Sequence, residues 1–117
     1  MQPLRFQLPK VQRPSRPPMA IAQMQAHAAD AAALLRSLGN EQRLMILCLL
    51  VEEELGVGSL LSRMSLSQSA LSQHLAVLRD ANLVQARREG LQVFYSMAPG
   101  PAREILSTLH SIYCEQP

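Results

Sequence analysis

Hydrophobic and polar positions recur with helical periodicity in residues 66–84, LSQSALSQHLAVLRDANLV. Leu71, Leu75 and Leu78 follow one another at helical spacing, so the pattern predicts an α-helix that buries one leucine face. The opposite face is short, uncharged and able to form hydrogen bonds, and it comprises Ser69, Ser72, Gln73 and Ala76. A helix face that meets only water usually carries Glu and Lys, so this composition favours a surface that binds a partner.

The pattern upstream predicts two longer helices. Small and apolar residues recur at helical spacing from about residue 20 to residue 37, and Gly39 interrupts this run. Asn40 suits the N-cap of the second helix. That helix is apolar on nearly all sides from residue 44 to residue 51, so we expect it to be the central buried helix.

A helix-turn-helix is predicted next. A short helix, roughly Val57 to Met64, has Leu60, Leu61 and Met64 facing inward. Ser67 then caps the serine-rich helix described above. Two short helices in close succession, the second with a polar outer face, form this DNA-binding pattern.

The period changes to two in residues 83–97, LVQARREGLQVFYSM. Apolar and polar positions alternate on both sides of Gly90, which predicts a β-hairpin with Arg87 and Arg88 just before its tip. Pro101 then suits the start of a last helix. The apolar stripe of that helix comprises Ile105, Leu106, Leu109, Ile112 and Tyr113 and ends at Cys114.

These elements predict a mainly α domain with a small β-hairpin, the winged helix-turn-helix architecture, over residues 20–117. The alanine-rich first helix and the apolar last helix are both candidates for a dimer interface, because an apolar helix face needs a packing partner. Residues 1–19 are proline-rich, basic and without periodicity, so we expect a disordered tail. Two interpretations of this tail stay open, a solvated segment and an arm that steers the protein to DNA.

Composition limits the function classes. The 117 residues suffice for one domain with a modest core, and the aromatic content of 3% favours aliphatic packing between helices. The net charge is +2, but the tail holds four basic residues and no acid, so residues 20–117 are net negative. An inference of nucleic-acid binding therefore has to rest on where individual charged and polar residues lie, and not on the net charge. We expect a cytoplasmic protein, because no apolar run is long enough for a membrane span and no secretory signal is visible.

The serine-rich helix has the chemistry of a recognition helix. Gln pairs with adenine through two hydrogen bonds and Ser serves several bases, so short polar side chains in the exposed N-terminal turns suit the major groove. We expect His74 to reach a phosphate and the hairpin to act as a wing along the DNA backbone or minor groove. The predicted DNA-binding residues are Ser67, Gln68, Ser69, Ser72, Gln73, His74, Arg87, Arg88 and Gln92. The competing interpretation is a solvated polar helix and a solvated hairpin tip.

The order of elements, together with LSQSALSQHLAVLRDANLV and RREGLQVFYSM, resembles the winged-helix repressors of the ArsR family. The resemblance covers roughly residues 28–115. It implies a homodimer that is bridged by its first and last helices and binds double-stranded DNA at an inverted-repeat operator.

The metal-sensing branch of that family has ELCVCDL at the start of the helix-turn-helix, where two thiolates bind soft metals. This chain has ELGVGSL there, with Gly56 and Gly58 in place of both cysteines. Glycine offers no side-chain ligand, so we expect no metal at this position and no cofactor. The last helix keeps only His110 of the residues that the zinc-sensing branch uses.

The two cysteines, Cys48 in RLMILCLL and Cys114 in LHSIYC, resemble the pair of the BigR- and HlyU-like subgroup of the ArsR family. The resemblance implies that sulfane sulfur or oxidants join them by a disulfide or polysulfide bridge within one subunit, which changes DNA affinity. Two alternatives stay open, a pair of buried structural thiols and a metal site formed with His110 in a metal-responsive repressor. The chemistry supports a reactive pair only in part, because an apolar helix and a helix C-terminus both disfavour the thiolate.

An enzyme is not expected. The cysteines are far apart in the sequence without a βαβ pattern, and the chain shows no glycine-rich phosphate loop, paired-carboxylate cleft or Ser-His-Asp set. The same fold is also compatible with a DNA-binding anti-repressor and with a dimeric scaffold that binds protein. The salt dependence of DNA binding separates the scaffold from the repressor.

Overall fold

The computed structural model describes residues 20–114, so the predicted tail of residues 1–19 lies outside the described residues. The described chain forms five helices and three short strands. In order they are α1 (Ile21–Leu38), α2 (Glu41–Glu52), β1 (Leu55–Gly56), α3 (Val57–Arg63), α4 (Gln68–Asp80), β2 (Val84–Glu89), β3 (Gln92–Met97) and α5 (Ala102–Tyr113). The predicted mainly α, winged helix-turn-helix fold is confirmed. None of the described helices is long and apolar enough to cross a membrane.

The two predicted N-caps form as expected. The Asn40 side-chain oxygen accepts hydrogen bonds from the backbone N–H groups of Gln42 and Arg43, at 2.9 and 3.0 Å. The Ser67 hydroxyl oxygen accepts one from the backbone N–H of Ala70 at 3.1 Å. Each cap satisfies backbone donors that a helix start leaves unpaired, which fixes where α2 and α4 begin.

Aliphatic residues from α2, α4 and the sheet form the core. Leu71, Leu75 and Leu78 on α4 are buried, as their spacing predicts. The prediction of a central buried α2 holds for only one side of the helix, because Met45 and Cys48 are exposed. Contacts with α1, α4 and β3 cover only part of the helix circumference. The remaining core residues are Leu38, Ile46, Leu47, Leu50, Leu55, Leu60, Leu83, Val84, Met97, Ala102 and Leu106.

The hairpin is part of a three-stranded antiparallel sheet with the order β1-β3-β2. Gly90 has a φ of 62° in the turn between β2 and β3, a conformation that glycine adopts without strain. The short strand β1 was not predicted. It pairs Leu55 with Tyr95 and Gly56 with Phe94, and two residues are too few to show a period of two. Through β1 the hairpin is joined to the start of α3.

Candidate nucleic-acid interface and thiol cleft

The outer face of α4 is uncharged and open to solvent. Gln68, Ser69, Ser72 and Gln73 are exposed, while the leucine row behind them is buried. The burial of Leu71 against the core fixes which way the helix is turned. The two faces are therefore arranged as the sequence predicts, with amide and hydroxyl groups available to base edges.

Two other predicted contact residues already have partners in the protein. Ser67 is exposed, but its hydroxyl oxygen accepts the capping hydrogen bond at the start of α4. His74 is half-buried, and its Nδ1 lies 3.4 Å from the Nη1 of Arg43 on α2. Sequence reasoning missed Arg43, because no periodicity relates residues on different helices.

The wing carries exposed Arg87, Arg88 and Gln92, as predicted. The Arg87 guanidinium is engaged within the protein, with Nη2 at 2.8 Å from Glu54 Oε1 and Nη1 at 3.3 Å from Glu89 Oε1. Its carbon also lies 4.9 Å from the centre of the Phe94 ring, a cation–π arrangement. The two carboxylates raise the pKa of Arg87, which is permanently charged in any case.

Glu54 is the second functional candidate that sequence reasoning missed. It is the last of three consecutive glutamates, residues 52–54, and such a run is typical of a solvated helix end. Hydrogen bonds from Arg87 lower the pKa of the Glu54 carboxyl, although partial desolvation opposes this effect. The carboxylate is thus charged at neutral pH and restrains one of the two wing arginines.

A cleft of about 460 Å³ separates the wing from the helix-turn-helix, between the starts of α3 and α4 and the strand β3. Gly56 lies on its wall, where an added Cβ would come within 3.4 Å of the Phe94 ring. Gly58 faces open space. Gln68 and Gln92 both line the cleft, so the recognition helix and the wing present amides on the two sides of one groove.

Cys48 on α2 lines a second cleft, between α2 and α5, and Cys114 directly follows the end of α5. Cys48 and Cys114 are both exposed, so the alternative of buried structural thiols is wrong. Partial burial is the main cause that raises the pKa of the Cys48 thiol, and the charge on Cys114 raises it further.

The cleft beside Cys48 has a volume of about 400 Å³ and mixes charged and apolar walls. Its lining residues are Cys48, Val51, Glu52, Arg103, Leu106, Ser107 and His110. Arg103 Nη1 donates to the backbone oxygen of Val51 at 3.3 Å, which joins α5 to the end of α2. Within residues 20–114 of one protomer, no group of three or more His, Cys, Asp or Glu residues is placed to hold a metal ion, so Cys48, Cys114 and His110 are not gathered there as a set of ligands.

Large apolar side chains are exposed on the two outermost helices. Ile21 and Leu35 on α1 are 65% and 61% exposed, and Tyr113 at the end of α5 is 79% exposed. The first half of α1, residues 21–29, is exposed at every position. An 18-residue helix of this kind gains little stability by itself, since helices in proteins are held mainly by packing.

A recognition helix with an uncharged polar face, a preceding short helix and a basic wing define a winged helix-turn-helix DNA-binding protein. The family model for bacterial regulatory proteins of the arsR family matches residues 40–86. The chain is 47% identical to the transcriptional activator HlyU of Vibrio cholerae, over 84% of this chain and 91% of that protein.

Two further matches, one in sequence and one in structure, come from Xylella fastidiosa. The chain is 38% identical to its biofilm growth-associated repressor, over 87% of this chain and 90% of the relative. The crystal structure of the transcriptional repressor BigR matches with a TM-score of 0.77 at 38% identity, over 84% of this chain and 100% of that chain. The chain therefore belongs to the ArsR family of transcription regulators, and it is a DNA-binding regulator, not an enzyme.

Proposed function

We propose that this regulator is a homodimeric repressor that binds an inverted-repeat operator and is released when Cys48 and Cys114 are oxidised or persulfidated. The observation that carries the DNA-binding part is the exposed, uncharged face of α4 opposite its buried leucines. Because the operator belongs to chromosomal DNA, the proposal includes a cytoplasmic location.

The base-reading residues of the proposal are those at the outer face of α4. Gln68, Ser69, Ser72 and Gln73 offer donors and acceptors without charge, which suits direct reading of bases in the major groove. Ser67 and His74 stand at the edge of this face. Arg87, Arg88 and Gln92 supply wing contacts, whose cationic part gives salt-dependent affinity.

The proposed dimer interface joins α1 and α5 of two protomers. The exposed Ile21, Leu35 and Tyr113 support this interface, because apolar side chains of this size gain free energy when a second copy covers them. Two recognition helices must lie about 34 Å apart to enter successive major grooves. A dimer built through the outer helices leaves both α4 helices free to do so.

The proposed switch is a covalent bridge from α2 to α5. With hydrogen peroxide, both thiols lose their hydrogens to form a disulfide, and the peroxide is reduced to two molecules of water. With a polysulfide, a thiolate attacks a sulfane sulfur and displaces the shortened polysulfide, which leaves a cysteine persulfide. Two persulfides then condense to a three-sulfur bridge with loss of hydrogen sulfide. The exposure of both thiols and the electrostatic influence of Cys114 on Cys48 support this chemistry.

A bridge would fix α5 against α2 and so alter the spacing of the recognition helices in the dimer. A coupling of about 1–3 kcal/mol between bridge formation and DNA binding changes affinity by about five- to 150-fold. That range is enough to release a repressor from its operator.

The test pairs intact-protein mass spectrometry with DNA titration on the same sample, before and after polysulfide or peroxide treatment. Retained sulfur mass together with loss of DNA affinity supports sulfur sensing, and loss of the thiol hydrogens alone supports an oxidant sensor. Cys48→Ser and Cys114→Ser should each bind DNA normally and fail to release it. Normal release by Cys48→Ser would exclude the thiol switch while leaving the DNA-binding proposal intact.

A further inference from the structure

The side chain of Arg43 joins three helices. Its Nε donates to the backbone oxygen of Ser37 at 2.7 Å, and its Nη2 donates to that of Arg36 at 3.1 Å. Its Nη1 lies 3.4 Å from Nδ1 of His74. One residue near the start of α2 therefore contacts both the end of α1 and the middle of the recognition helix, with all three guanidinium nitrogens in use.

The first two contacts hold the guanidinium in place. Carbonyl groups in the last turn of a helix have no partner within that helix, and they form the negative end of its dipole. Arg36 and Ser37 supply such carbonyls from the last turn of α1. The backbone of Arg43 is itself fixed, because Asn40 caps its N–H. The backbone and the guanidinium of Arg43 are thus both held in place by contacts other than the one with His74.

The third contact selects one form of the imidazole. Arginine is a donor only, so Nδ1 of His74 must accept the hydrogen bond and carry no hydrogen. In the neutral ring the hydrogen then resides on Nε2, on the far side of the ring from Arg43. His74 is half-buried and follows the exposed Gln73, so part of the residue is open to solvent next to the base-reading face of α4.

We propose that Arg43 is a positioning residue for operator binding, which holds the His74 ring so that its Nε2–H donates to a DNA phosphate. The inference rests on the proposed DNA-binding function and extends it to a residue outside the predicted set of DNA contacts. Phosphate contacts set the register of a recognition helix on the duplex, so a fixed donor next to Gln73 places the base contacts. Because Arg43 is anchored to α1, it also connects the proposed dimerisation helix with this donor.

A purely structural role for Arg43, as a clasp on the end of α1, makes a different prediction. A clasp would contribute to stability whether or not residue 74 is a histidine. A positioning residue acts on DNA affinity only through the His74 ring. Replacing Arg43 therefore has no further effect on DNA affinity once His74 has been removed.

The experiment is a double-mutant cycle on the full chain with Arg43→Met, His74→Ala and the double variant. The probes are the duplex that the native chain selects from a library of randomised inverted repeats and a random-sequence duplex of equal length. We expect each single variant to weaken binding to both duplexes by about tenfold, since a phosphate contact carries no sequence information. The double variant should be no weaker than the His74→Ala protein. A second tenfold loss in the double variant would overturn the proposal.

A second pair of variants leaves Arg43 intact and covers the case in which Arg43→Met unfolds. The amide nitrogen of His74→Gln reaches the position of Nε2, whereas the amide oxygen of His74→Asn reaches only that of Nδ1. We expect His74→Gln to keep most of the affinity and His74→Asn to lose as much as His74→Ala. The reverse order would exclude Nε2 as the phosphate donor.

The controls distinguish this inference from the proposed function. If the native chain prefers no duplex, the proposed function fails. If Gln73→Ala alters sequence preference, while the losses of binding free energy in Arg43→Met and His74→Ala add up in the double variant, only the positioning role fails. The thermal unfolding midpoint of every variant is measured first. The DNA titrations are then run at a temperature at which all the variants are folded.

Discussion

Arg87 on the wing and Glu54 after α2 form a two-pronged ion pair, with Nη2 to Oε1 at 2.8 Å and Nε to Oε2 at 3.0 Å. The geometry is that of a planar guanidinium facing a carboxylate, the strongest form of this contact. It ties β2 to the segment that leads into β1. It also neutralises a cation that the wing would otherwise offer to a phosphate.

Glu54→Gln should therefore strengthen DNA binding. Without the carboxylate, Arg87 becomes available to the DNA backbone, and we expect about three- to fivefold higher affinity at low salt. The logarithm of the binding constant should also fall more steeply with the logarithm of salt concentration, by about one unit per protomer. Fluorescence anisotropy at several salt concentrations measures both quantities.

Glu53→Gln is the matched control for this prediction. It removes the same charge from the neighbouring residue, which pairs with Arg63 and not with the wing. An equal gain in affinity from Glu53→Gln would show that the charge of this segment, and not the release of Arg87, is responsible.

Gln73→Ala should change which sequence the protein prefers. An amide that forms two hydrogen bonds with adenine contributes discrimination of about 1–3 kcal/mol against the wrong base. We expect affinity for the selected operator to fall by about tenfold, with little change for random DNA. Repeating the selection from the randomised library would reveal the position that has relaxed. Gln85→Ala is the control, because Gln85 is exposed at the end of β2 that lies farthest from the wing tip, and it should leave both affinities unchanged.

The sequence was most informative where a pattern was local. Helical spacing was enough to predict the buried and exposed faces of α4, and cap chemistry predicted its start at Ser67. It failed where partners come from distant segments. The carboxylate of Glu54 meets Arg87 only because β1 pairs with β3, and the two-residue β1 leaves no periodic signal. The exposure of Cys48 also depends on which neighbours cover α2, and composition does not contain that information.

Leu35→Glu should dissociate the proposed dimer. The side chain is 61% exposed on α1, and a carboxylate buried there between two protomers would lose its hydration without gaining a partner. We expect light scattering to report the monomer mass of 12.9 kDa at a concentration at which the native chain is a dimer. Leu91→Glu is the control, because Leu91 is 98% exposed at the tip of the wing. That variant should bind DNA less tightly and remain dimeric. A dimeric Leu35→Glu protein would exclude α1 from the interface.

The reactivity of Cys48 should rise with pH, with a midpoint above the ordinary value of about 8.5 for a cysteine thiol. Partial burial and the charge on Cys114 both raise the pKa of Cys48, and only its thiolate attacks sulfur or an alkylating agent. The rate of iodoacetamide labelling at Cys48, followed by peptide mass spectrometry across a pH series, gives this midpoint. The same shift affects folding. Because the folded chain holds this proton more tightly than the unfolded chain, its contribution to stability is present at neutral pH and is lost as pH rises through the folded pKa.

Cys114→Ser separates the two causes of the raised pKa. The variant removes the charge on residue 114 but leaves the surroundings of Cys48 in place, so the labelling midpoint should move down and still remain above the ordinary value, since burial is the larger cause. Ser107→Ala, on the same cleft and without an ionisable group, is the control and should leave the midpoint unchanged. If Cys114→Ser has no effect on the midpoint, the two sulfur atoms are too far apart to interact, and a bridge between them would require α5 to move first.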